Sequence, residues 1–109
     1  MVKVYRSTVL NAPADRVWRD LRDFNGLADW HPVIVSSRIE KGHPADKVGC
    51  VRILQFRDGA QVREKLLSLS DYDYTCISAI LDSPMDLSDH IATLRLFPVT
   101  EGNRCFIEW

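Results

Sequence analysis

The sequence predicts an α+β fold: one antiparallel sheet, curved around a short helical segment. Three observations predict it. A strand-like start gives way, at Asn11-Ala12-Pro13, to an apolar stripe at helical spacing. About six strand-like runs follow with mostly short links, the pattern of consecutive hairpins. One or two short helices cannot cover so many strands laid flat, so the sheet must bend around them. The 109 residues are 46% apolar and 27% charged, which fits a single globular domain spanning 1–109.

Residues 2–10 form the first strand, favoured by their β-branched content, with Val2, Val4, Thr8 and Leu10 on one side. Pro13 suits the first turn of a helix, where its missing N–H is not needed. Val17, Trp18, Leu21 and Phe24 then share one helical face, and Asn25-Gly26 stops the helix. Residues 27–30 add a short turn with Leu27 and Trp30 toward the core. The second strand covers 33–40 and ends at Lys41-Gly42-His43-Pro44. The third covers 49–56. Arg57-Asp58-Gly59-Ala60 is a hairpin turn, because Gly59 takes positive φ without a Cβ clash. Residues 61–69, 72–81, 88–97 and 104–109 complete the set, with Pro98 and Glu101-Gly102-Asn103 between the last two.

The formal charge is −1, which provides no overall field for nucleic acid or an anionic membrane. The charges are nonetheless uneven: residues 66–94 hold five Asp and no Lys or Arg, read as solvated turns or as an acidic rim. Cys50, Cys76 and Cys105 lie in apolar runs and form no CxxC pair. Buried free thiols in the cytoplasm are expected. No run reaches the ~20 apolar residues of a membrane span, and the amino terminus has no long apolar signal segment. No phosphate loop, dinucleotide turn, nucleophile elbow or HExxH occurs, so neither a cofactor nor a metal is expected.

With these elements in place, the sequence resembles the START-like (SRPBCC) superfamily, in its polyketide cyclase/dehydrase and lipid transport branch. The resemblance is carried, in order, by residues 11–18, 23–32, 49–52, 58–66 and 104–109. Among these are Asn11-Ala12-Pro13, Asp29-Trp30-His31-Pro32 and Asp58-Gly59. It implies a helix-grip fold: a seven-stranded antiparallel sheet with two short helices between strands 1 and 2, wrapped around a long carboxy-terminal helix. Between sheet and helix lies an apolar cavity for lipids, hormones or polyketides. This sequence stops at Trp109, inside the last expected strand, so the long helix is missing. An apolar sheet face left bare is expected to drive self-association.

Glu64 shares strand parity with Val62 and Leu66, whereas Arg63 and Lys65 point the other way. A carboxylate on an apolar face needs a partner, and Arg52 lies opposite it across the Asp58-Gly59 turn. The pair is either a polar anchor for a ligand or a solvated ion pair on the outer face. Tyr72 and Tyr74 share parity with Cys76 and can orient a ligand or serve as core and rim aromatics. His90 shares parity with Ala92 and Leu94, which can bring it inward. Met85 lies in the loop at 82–87, which in the resembled family guards the cavity; Met85 and Leu87 cap a ligand or seal the core. Trp109 lines the cavity or simply ends a strand.

Three functions follow. The first is binding of a small apolar molecule, such as a lipid, polyketide or aromatic compound. The second is an enzyme that cyclises or dehydrates a polyketide-like substrate, which requires Glu64, Tyr74 or His90 to converge. The third is a protein-interaction module using the open sheet face.

Overall fold

The computed structural model describes residues 3–83 and 90–109. The chain runs through β1 (Ser7–Leu10), α1 (Ala14–Leu21), α2 (Leu27–Trp30), β2 (Ile34–Ile39), a 3-10 turn (Glu40–Gly42), β3 (Val51–Phe56), β4 (Gln61–Ser70), β5 (Thr75–Asp82), β6 (Ile91–Val99) and β7 (Arg104–Glu108). The seven strands form one sheet in the order β1-β7-β6-β5-β4-β3-β2, with every pair antiparallel. This is the α+β helix-grip arrangement of sheet and short helices. The chain ends one residue after β7, and no long helix follows within its 109 residues.

The strand order dictates where the helices lie. β1 is one edge of the sheet and β2 is the other. The α1–α2 connection must therefore cross the whole width of one face. α1 packs over β6 and β7, and α2 packs over β2. Under α1, Ala14 and Trp18 are buried against Leu96, Cys105 and Ile107. At the other end, Phe24 is buried against Cys50 and Leu66, with Ile39 and Ala45 around them. Leu69 and Cys76 touch both clusters. Burial of such side chains stabilises by about 1.5–3 kcal/mol each, so the two clusters clamp the helices onto the sheet.

Curvature has an identifiable source. The β4–β5 register shifts twice, between Arg63 and Glu64 and between Leu66 and Ser68. The β2–β3 register shifts between Ile34 and Ser36. An extra residue in one strand bends it and raises its local twist. The second shift also changes the parity of β4. Val62, Glu64 and Leu66 are buried on one face, Leu67 is exposed, and Leu69 returns to the core.

Several elements depart from the sequence reading. β1 is shorter than residues 2–10, although the backbones of Arg6 and Trp109 still exchange two hydrogen bonds of 2.9 Å. Tyr72 and Tyr74 are not in a strand. Asp73 N–H donates to Ser70 Oγ, Tyr74 takes φ 51°, and β5 begins only at Thr75. β6 runs through Pro98. Its pairing with β5 stops at Arg95, so the missing N–H of Pro98 interrupts no ladder on that side. Trp30 is 46% exposed and belongs to neither buried cluster. Val33 lies just before β2 and is exposed.

Candidate functional site

A hollow of about 180 Å³ remains on the helix-covered face, where neither α1 nor α2 fills the bend. Phe24, Leu27 and Trp30 come from the helical segment, Arg52 from β3, Glu64 from β4, Cys76 and Ser78 from β5, Leu94 from β6, and Trp109 follows β7. Strand periodicity explains the set. Arg52 pairs with Glu64 across the β3–β4 hairpin, and Cys76 pairs with Leu94 across β5–β6. Each pair projects to the same side of the pleat.

The floor of the hollow is one polar network. Arg52 Nη2 donates to Glu64 Oε1 at 3.0 Å, and Arg52 Nη1 donates to the Phe24 carbonyl at 2.9 Å. The guanidinium lies over the Phe24 ring, 4.0 Å from its centroid. Ser78 Oγ donates to Glu64 Oε2 at 3.1 Å. The Arg52 and Glu64 side chains are only 13% and 10% exposed, so this pair is shielded from water and salt. The solvated outer-face alternative for Arg52 and Glu64 therefore does not describe it. Arg52 Nε is buried with no hydrogen-bond partner among the described residues. Burial also pushes the Cys76 thiol above its ordinary pKa, which keeps it neutral beside the pair.

The other sequence candidates lie elsewhere. Tyr74 is half-buried and packs on Trp18, with ring centroids 5.7 Å apart. Tyr72 is 95% exposed at the turn tip. His90 is exposed just before β6, where its carbonyl accepts the Ile80 N–H. Glu64 bonds to Arg52 and Ser78, and neither Tyr74 nor His90 joins that network. The cause for Tyr74 is the turn before β5, which breaks the parity that linked it to Cys76. Met85 and Leu87 lie outside the described residues. Trp109 is 50% exposed at the rim.

Sequence reasoning passed over Ser78 and Cys76 as site residues, although both share a face of β5 and sit near the Glu64 register. Phe24 was read only as a packing residue. It is that, and it also supplies the carbonyl and the ring that hold Arg52. Among the described residues no cluster of three or more His, Cys, Asp or Glu side chains could hold a metal ion. None of their helices is long and apolar enough to cross a membrane.

Comparison with known proteins gives a consistent picture. The profile of the family described as polyketide cyclase/dehydrase and lipid transport matches residues 1–109. The protein XoxI of Bacillus cereus has a similar structure, with a TM-score of 0.88 and 28% identity over 100% of this chain and 72% of that one. A protein of Nitrosospira multiformis is similar at TM-score 0.84 and 28% identity, over 97% of this chain and 74% of that one. One from Thermobifida fusca is similar at TM-score 0.83 and 25% identity, over 97% and 69%. No curated protein matches this chain.

Proposed function

The chain belongs to the polyketide cyclase/dehydrase and lipid transport family, and on that footing we propose that it binds a small, mainly apolar molecule in the hollow of its curved sheet. The observation that carries this reading is the composition of the hollow. Its walls are Phe24, Leu27, Trp30, Leu94 and Trp109, and its floor is one shielded ion pair. Concave, mostly apolar surfaces with a few convergent polar groups are the usual form of a small-molecule site. The three unpaired thiols support a reducing, cytosolic location.

A cyclase or dehydratase reading has less support. Glu64 is held by two partners, and the side chains proposed to act with it lie elsewhere. A second reading, self-association across the open face, draws on Trp30 and Trp109, two large exposed aromatics beside the hollow.

Native mass spectrometry of the purified chain tests both. Ligand binding predicts a 1:1 adduct on addition of 2-naphthol, a neutral, mainly apolar probe. A probe that adds no mass, with the chain appearing only as a dimer, would favour the interface reading.

A further inference from the structure

We infer that the occupant of this hollow is an uncharged planar aromatic of one or two rings, and not a long acyl chain, a sterol or an anion. The inference rests on the binding reading above and narrows it by size, shape and charge.

Size comes first. A cavity of ~150 Å³ lined by aliphatic and aromatic side chains accommodates benzene, and drug-sized ligands need ~300–1,000 Å³. The hollow offers about 180 Å³. That volume takes one ring fully, or two with an edge at the mouth. A fused tetracycle or a folded acyl chain exceeds it.

Shape comes second. Three flat side chains, Phe24, Trp30 and Trp109, line this one small space. Phe24 already stacks on the Arg52 guanidinium. Trp30 and Trp109 are half-exposed, so their remaining ring surface is open to a partner. Aromatic pairs gain beyond area burial through offset or edge-to-face contact. A flat ring collects such contacts, and a flexible chain does not.

Charge comes third. Among the described residues, the charged side chains lining the hollow are Arg52, Glu64 and Asp23. Both terminal nitrogens of Arg52 are committed to Glu64 and the Phe24 carbonyl, its Nε is shielded without a partner among the described residues, and Asp23 adds the third charge. An anionic ligand therefore meets net negative surroundings and loses its hydration without gaining a free cation. A positive head group placed on the floor would sit against the Arg52 guanidinium. A neutral ring meets neither penalty. One polar substituent can still be met, because Glu64 Oε2 accepts only the Ser78 hydroxyl among the described residues and a carboxylate oxygen accepts more than one bond.

The test is a titration series on the full chain at pH 7, read by tryptophan fluorescence. The ligands are 2-naphthol, 2-naphthoate, 1-decanol and decanoate. The expected result is that 2-naphthol binds at least tenfold more tightly than each of the other three. The substitution Ala92→Trp, placed on the hollow's lining at an exposed position, is expected to abolish binding while leaving the far-ultraviolet circular dichroism unchanged. If decanol or decanoate binds more tightly than 2-naphthol, the aromatic class is wrong although a site exists. If 2-naphthoate binds more tightly, the charge argument is wrong. If no ligand of the series binds, the binding reading itself fails and this inference with it. The ligand series on the unaltered chain decides these outcomes even if Ala92→Trp does not fold.

Discussion

Glu64 sits at a position where a small chemical change has a large structural cost. Its carboxylate holds Arg52 on one oxygen and Ser78 on the other, within a pair about nine-tenths shielded from solvent. Glu64→Gln keeps the shape and an amide oxygen that can still accept from Arg52, but it removes the negative charge that balances the shielded Arg52 cation. Stranding one member of a buried pair typically costs about 3–5 kcal/mol. We expect a loss near the lower end, measured by urea denaturation, because the hollow is open on one side. The double substitution Arg52→Met with Glu64→Met is expected to recover most of that loss, since removing both charges also removes their desolvation penalty. A Glu64→Gln variant as stable as the parent would mean that water solvates the pair, which would deny the hollow its dry floor. Parity alone placed Glu64 beside Val62 and Leu66. It did not reveal that Ser78 and Phe24 complete the network, because those contacts join β5 to β4 and β3 to the helical segment, a relation that only the folded chain supplies.

At the scale of elements, two joints can be tested separately. The β3–β4 hairpin turns through Gly59 at φ 91°, and a Cβ there meets no neighbour within 4 Å. The cost of Gly59→Ala is therefore purely conformational, on the order of 1 kcal/mol; a neutral effect in chemical denaturation would mean that the turn changes type. The second joint holds α1 on the β4–β5 turn. Asp71 Oδ1 accepts from Trp18 Nε1 and from Arg22 Nε, both at 2.8 Å. Arg22 first and Trp18 second hold the Asp71 carboxyl below its ordinary value of 3.8. A carboxylate with a lowered folded pKa stabilises the fold fully above its unfolded pKa, and the contribution disappears as pH falls through the folded value. The docking of α1 should therefore weaken below about pH 3.8, seen as a change in Trp18 emission, and Asp71→Asn should remove that step. The effect is modest because Asp71 is mostly solvated. A pH profile identical in the variant would assign the acid transition to other groups. These elements also show what the sequence made legible. The Asp58-Gly59 turn and the helical stripe are local signals; the turn formed where it pointed, and the stripe formed a helix over Val17, Trp18 and Leu21 that ends before Phe24 and well short of Asn25-Gly26. The extents of β1, β5 and β6 depended on neighbours: a backbone partner at Trp109, a side-chain bond at Ser70, and the end of β5 pairing before Pro98.

At the scale of the whole molecule, the strand order is what creates the hollow. Because β1 and β2 are opposite edges, the helical link spans the sheet and packs at both ends. Its two buried clusters leave the bent middle uncovered. Neither helical spacing nor strand parity says that β1 pairs with β7; the resemblance supplied seven antiparallel strands, and the folded chain supplied their order. The central claim is that this uncovered middle receives an apolar molecule. Amide chemical-shift mapping with 2-naphthol tests it most directly. The account predicts saturable shifts at Arg52, Glu64, Cys76, Ser78 and Leu94, with Phe97 and Phe106 on the opposite face unmoved. Shifts centred on Phe97 and Phe106, or none that saturate, would contradict it.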